Sequence, residues 1–383
     1  MSRIYLDHAA TTTVRPEVLE AMLPLLGAGY NPSSIHAEGR AARAALDAAR
    51  ATVARILGAA PREIVFTGSG TEADVLAVVG AARARAERGR HVVTTAIEHH
   101  AVLHAVDLLE AEGWEVTRLP VDERGLVDPA AFAAALSPRT TLASVMLANN
   151  EIGVVQPVAE LARVARTAGV LFHTDAVQAA GWLPLDVDAL GVDLLSLSSH
   201  KFSGPKGVGV LYVRRGTPLA AQIVGGGQEH GLRSGTENLA GIAGCARALE
   251  LAEAERAAAV ARVAALRDCL ERGILALIPD VLVNGAGAPR LPNNLSAAFA
   301  DVPSDALLIR LDLEGIAASA GSACAAGSLE PSHVAAAIGL APRYRLGVIR
   351  FSLGRTTTQA EVDDVLRRLP AVLEGIRAPA TVT

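Results

Sequence analysis

Cysteine is scarce in this 383-residue chain: Cys245, Cys269 and Cys324 are the only three. An odd number without CxxC spacing argues against both a disulfide framework and a zinc site, so each thiol has to be judged alone. Charge of one sign is lacking too. Lys and Arg number 35 against 40 Asp and Glu, mixed along the chain for a formal net charge of −5. No basic stripe argues for nucleic acid and no like-charge tail for an electrostatic partner. Long apolar runs are missing as well, none approaching the roughly 18–20 residues of a membrane helix. The opening MSRIYLDHAATTTV has neither a basic segment followed by an apolar stretch nor an A-x-A pattern, and the expectation is a cytoplasmic protein working on a small molecule.

What is present is an apolar, well-mixed composition, 51% hydrophobic and 20% charged, as a globular chain requires. From about residue 61, short apolar runs alternate with helical patterns: EIVFTG leads into TEADVLAVVGAARARA, HVVTTA into HHAVLHAVDLLEAEG, and TLASVML into PVAELARVARTAG. Strands alternating with helices of ten to fifteen residues predict a mostly parallel α/β sheet covered on both faces. Ligands in such sheets bind in loops at the carboxyl ends of the strands. An Ala-rich stretch from about 245 to 275 reads as a long helix bridging one domain to the next. The expected division is an N-terminal segment 1–14 packing with the small domain, a large cofactor-binding domain 15–255, and a small α+β domain 256–383 carrying a cysteine loop.

Five places carry polar residues where that pattern would put a site. The apolar strand DLLSLS runs into Ser198, Ser199, His200 and Lys201, then a Gly/Pro turn. A lysine there can hold a carbonyl cofactor covalently, although taken alone a solvated loop lysine is the commoner case. VLFHTDAVQ ends a strand with His173, Thr174, Asp175 and Gln178; Asp175 could keep a pyridinium nitrogen protonated or simply cap a helix. FTGSGTEADVL sets Gly68, Gly70 and Thr71 between strand and helix, where free amides favour a phosphate, though a plain threonine-bearing turn fits equally. AIEHHAVLH puts His99 and His100 at another strand-to-helix passage, suited to lying over a planar ring or to proton transfer; His100 and His104 share a helical face without a third metal ligand nearby. Cys324 sits in SAGSACAAGS, the composition of an accessible loop and of a candidate nucleophile, whereas Cys245 and Cys269 in the helical stretch read as packing.

Together these residues resemble the cysteine desulfurases of the class V aminotransferase group, which have the type I pyridoxal-phosphate fold. The likeness runs nearly end to end, through YLDHAATT, NPSSIH, GSGTEA, IEHHAVL, NNEIGVVQP, HTDAVQ, SSHKFSGPKGVGVLYVRR, RSGTEN, SAGSACAAGSLEPSHV and IRFSLGR. The Cys324 spacing is similar to the long-loop group that serves iron–sulfur assembly and tRNA thiolation. The resemblance implies pyridoxal 5'-phosphate as cofactor, held covalently by Lys201, with Asp175 on the ring nitrogen, Gln178 on the ring hydroxyl and His99 stacked on the ring. It implies Gly70, Thr71, Ser198 and His200 around the phosphate, and Thr236 reaching the site of the neighbouring subunit of a homodimer. Asn150 and Arg350 would bind the carboxylate of L-cysteine, while Cys324 would take the sulfur as a persulfide and pass it to an acceptor protein.

No stable metal site is implied, with Cys324 at most a transient cluster ligand, and neither nucleic acid nor membrane is an expected partner. Housekeeping members carry a longer C-terminal extension than VLEGIRAPATVT, so a tRNA thiolase or a specialised scaffold stands beside the usual iron–sulfur scaffold as acceptor. A selenocysteine lyase, needing no loop thiol, and a non-catalytic sulfur carrier are the competing readings.

Overall fold

A computed structural model describes residues 3–28, 30–321 and 332–377. Its strands are β1 (Ile4–Tyr5), β2 (Ile64–Thr67), β3 (His91–Thr95), β4 (Glu115–Leu119), β5 (Thr140–Ser144), β6 (Leu171–Asp175), β7 (Leu194–Ser198), β8 (Gly209–Val213), β9 (Val281–Val283), β10 (Asn294–Phe299), β11 (Ile316–Ala317) and β12 (Val348–Ser352). The helices are α1 (Pro16–Ala28), α2 (Ala37–Leu57), α3 (Gly70–Ala84), α4 (His100–Ala111), α5 (Pro129–Ala135), α6 (Val158–Thr167), α7 (Val187–Leu190), α8 (Leu239–Leu277), α9 (Ser304–Leu313), α10 (His333–Ala337), α11 (Pro342–Arg345) and α12 (Gln359–Arg377).

Seven strands form one sheet in the order β2-β8-β7-β6-β5-β3-β4, with β8 antiparallel to both of its neighbours and the other pairings parallel. The predicted mostly parallel α/β sheet is therefore observed. Alternation of side chains along each strand sends neighbours into different cores. Val65, Val92, Leu142, Leu171, Leu194 and Leu211 pack with α3 and α4. The next residues along, Phe66, Val93, Ala143, Phe172, Leu195 and Tyr212, pack on the other face with α2, α6 and α8. Burial on both faces is why these strands read as unbroken apolar runs.

A second, three-stranded antiparallel sheet, β12-β10-β9, is built around Leu295, Phe299, Ile349 and Phe351. Ile4 and Leu6 belong to this core, because β1 pairs in parallel with β11. Helix α8 starts earlier than the Ala-rich pattern suggests, where the Asn238 side chain accepts from Gly241 N. Its Leu239–Ala252 stretch belongs to the large core, and Val263 to Ile274 to the smaller one.

Candidate active site

The polar residues at the carboxyl ends of β6 and β7, the starts of α3 and α4, and one strand of the small sheet converge on a cavity of about 290 Å³. Its walls include Gly70, Thr71, His99, Asn150, Asp175, Gln178, Ser198, His200, Lys201 and Arg350, ten of the residues singled out from the sequence.

Each arrives for a local reason. Ser69 caps α3 by accepting from Glu72 N at 3.0 Å, leaving the first amides of the helix, at Gly70 and Thr71, at the cavity wall. At Gly70 a Cβ would stand 2.9 Å from Ser198 Cβ and 3.0 Å from Val177 Cγ2, so only glycine lets the helix end approach the β7 strand end so closely. His99 caps α4, its Nδ1 accepting from Ala101 N at 3.1 Å. Asp175 is the last residue of β6, and its Oδ1 accepts from Val177 N at 2.9 Å.

Lys201 ends the short turn after β7, and its Nζ donates to the carbonyls of Ala9 and Ala10 at 2.6 and 2.8 Å. The same N-terminal stretch receives Gln178 Nε2 on Ala9 O at 3.0 Å and pairs Thr11 Oγ1 with His200 Nδ1 at 3.0 Å. Arg350, only 2% exposed, donates through Nη1 to Asn150 O (2.8 Å) and Gly321 O (2.9 Å) and through Nη2 to Asp7 Oδ1 (2.9 Å).

Burial sets the electrostatics. It pushes the Asp175 carboxyl up to about 6, against the pull of the Val177 amide and of Lys201. It also holds His99 down to about 4, reinforced by Lys201, His100, His333 and His104, and His200 down to about 4, reinforced by Lys201 and Lys206. Both rings are neutral near pH 7. Of the other thiols, Cys245 is fully buried with its pKa pushed up to about 12, and Cys269 is half-buried against the small core.

Two predicted residues are not in this wall. Thr236 is exposed in the segment before α8, away from the cavity. Cys324 lies outside the described residues. Conversely, Asp74 enters the wall unannounced, four residues into α3. Its signal was a carboxylate inside the apolar run ADVLAVV. A second missed signal concerns Lys201 itself: of the 35 basic residues only Lys201 and Lys206 are lysines, so the chain scarcely uses lysine as a solvated surface residue. Among the described residues one trio, Asp74, His99 and Asp175, offers ligand atoms within 4.8 Å of one another.

Residues 4–365 match the family described as Aminotransferase class-V. A cysteine desulfurase IscS of Dictyoglomus turgidum is 48% identical over 98% of this chain and 95% of its own length. Another, from Anaeromyxobacter sp. (strain Fw109-5), is 50% identical over 98% of this chain and 92% of its own. Among solved structures, a NifS-like protein superposes with a TM-score of 0.91 at 38% identity, covering 97% of this chain and all of that one (100%).

Proposed function

The chain belongs to the class-V aminotransferase family and is a pyridoxal-phosphate-dependent cysteine desulfurase, and from that premise we propose how its own residues divide the work. The observation that carries the assignment is the convergence of Lys201, Asp175, His99 and the amide end of α3 on a single cavity. These groups suit a planar, phosphorylated ring. The start of α3 offers free amides and its positive dipole end to a phosphate, with Ser198 and His200 beside it. Asp175 supplies a buried carboxylate for a ring nitrogen, and Gln178 an amide for a ring hydroxyl.

When bound, the cofactor supplies an electron sink for carbanion chemistry at an amino acid's α-carbon. The remaining steps belong to the protein. Arg350 receives the substrate carboxylate, a guanidinium offering two parallel hydrogen bonds, with Asn150 alongside. Lys201 Nζ, which would hold the cofactor covalently in the resting enzyme, would with its amine free accept the α-proton and later return it. His99, neutral at working pH and at the cavity wall, would pack against the cofactor and pass protons through an imidazole nitrogen. The Cys324 thiolate attacks the substrate sulfur; the S–S bond forms as the Cβ–S bond breaks with its electrons left on carbon, and after protonation the carbon skeleton leaves as alanine. Breaking the resulting persulfide requires a second thiol or a dedicated acceptor.

Supply of that sulfur to iron–sulfur assembly or tRNA thiolation, a homodimer in which Thr236 enters the partner site, and a cytoplasmic setting complete the reading. No helix among the described residues is long and apolar enough to cross a membrane. The division into residues 1–14, 15–255 and 256–383 is supported by the change of core along α8 between Ala252 and Val263 and by Ile4 and Leu6 packing in the small core.

The testing experiment measures sulfide and alanine released from L-cysteine with a thiol reductant, for the wild type and for Cys324→Ala. We expect equal amounts of both products from the wild type, and from the variant an intact cofactor spectrum without sulfide. Activity that survives Cys324→Ala would favour a lyase that needs no loop thiol.

A further inference from the structure

Below the cavity floor runs a string of buried polar groups that the proposed chemistry does not use. Ser144 Oγ pairs with His173 Nδ1 at 2.8 Å, and His173 Nε2 with Ser196 Oγ at 3.0 Å. The Ser196 hydroxyl serves the carboxyl of Asp74, whose Oδ1 stands 3.6 Å from His173 Nε2. Asp74 is 1% exposed, and that Oδ1 has no hydrogen-bond partner. The string ends at Asp175, since the ligand atoms of Asp74, Asp175 and His99 lie within 4.8 Å of one another.

Two carboxylates this close and this far from water cannot both ionise cheaply, so one of them holds a proton. The surroundings decide which. Asp175 accepts the Val177 amide and feels the positive charge of Lys201. Asp74 has neither. Burial pushes it well up, and the charges of Asp175 and Glu98 add to the push. His173 supplies no cation, because burial holds it down to about 3, and His99 is held neutral as well. Glu98, buried and itself pushed up to about 8, is neutral or anionic and so offers Asp74 no compensating positive charge.

We propose that Asp74 is a positioning residue that carries the proton of a buried carboxyl pair, so that Asp175 alone bears negative charge beneath the ring. The inference rests on the reading that Asp175 meets the cofactor's ring nitrogen. A neutral Asp74 leaves a single anion opposite a single ring cation; a second anion would destabilise the Asp175 carboxylate and draw the proton away from the ring. It also makes the string Ser144–His173–Ser196–Asp74 an uncharged scaffold that orients the Asp175 carboxylate.

The first test is infrared spectroscopy of the apoprotein at about pH 8, where an ordinary aspartate is fully ionised. The wild type should show a protonated-carboxyl stretch of which Asp74→Asn removes one component, leaving that of Glu98; a band unchanged by that substitution overturns the proposal. Should the variant fail to fold, wild-type protein carrying carboxyl-labelled aspartate must show an isotope-shifted acid band, which separates Asp74 from Glu98, and its absence is equally fatal. The second test is pyridoxal phosphate affinity against pH. Ionisation of Asp74 should weaken binding about tenfold on the alkaline side, a limb that Asp74→Asn lacks; retention of the limb in the variant overturns the assignment. Asp175→Asn should lose at least about a hundredfold in affinity. Undiminished affinity there, with the infrared difference intact, would sink the cofactor-facing reading of Asp175 while leaving the proton on Asp74.

Discussion

At Glu98 the competition between burial and charge can be read from one side chain. Its Oε1 accepts from Thr95 Oγ1 at 2.7 Å and from Met146 N at 3.0 Å, while its Oε2 has no partner, and burial pushes the carboxyl from 4.5 to about 8. The folded state therefore keeps a proton that the unfolded chain has lost, and stability falls as pH rises from about 4.5 to about 8. Glu98→Gln, which keeps an acceptor and gives the orphan position a neutral amide, should stabilise the protein by ~3 kcal/mol at about pH 8 and hardly at all at about pH 4. Urea unfolding at the two pH values checks this; equal gains at both would refute the ionisation argument. At Lys201 the expected outcome is functional. Lys201→Ala should lose the covalently held cofactor's absorbance and at least about a thousandfold in kcat, measured by alanine release. Lys201 and Asp175 were legible only through the combination of motifs, since alone a strand-end lysine is more often solvated and a strand-end aspartate can simply cap a helix. Asp74 was not, since a carboxylate in a helix normally faces water and only the packing of α3 against β7 turns it inward.

Elements place those residues, and here pattern served well while pairing did not. The alternation of apolar runs and helical periods specified β2, β3, β5, β6 and β7 with helices α3, α4 and α6, because each of these strands fills two cores at once; the edge strand β4, mostly outside the core, and the short α5 and α7 left no such pattern. Nothing local could predict that the two-residue strand Ile4–Tyr5 would pair with Ile316–Ala317, a contact across most of the chain. Nor is a buried ion pair visible in composition. Arg50 of α2 donates to Glu229 through Nη1 and Nη2 at 2.7 and 2.6 Å, and Glu229 also accepts from Phe66 N of β2 at 2.8 Å. The pair ties a helix, a strand and the segment approaching α8 into one joint. Arg50→Met should cost ~3–5 kcal/mol, since it strands a buried carboxylate. Glu229→Gln should cost less, because an amide can still meet both partners. Denaturant midpoints of the two variants test the order.

Over the whole molecule, the N-terminal stretch stitches the two cores together at the site. Leu6 is buried in the small core, Asp7 holds Arg350, and the Ala9 and Ala10 carbonyls hold Lys201 of the large sheet. Leu6→Ala should cost ~2–5 kcal/mol and loosen Arg350 and Lys201 together, read as a higher KM for cysteine alongside weaker cofactor retention. Acting at residues that meet neither molecule, such a change separates support from chemistry. Thr236 marks where one chain's sequence stops being informative, since the role proposed for it requires a second copy of the chain.

Helix α8, at 39 residues, is on the order of 60 Å long at about 1.5 Å per residue, and it contributes buried side chains to both cores. A shared rod of this kind removes the option of melting one half while the other persists, because fraying either core strips the apolar face from the same helix. Heating should therefore produce a single calorimetric peak whose van't Hoff and calorimetric enthalpies agree for each chain, in a protein large enough that two separate transitions would otherwise be expected.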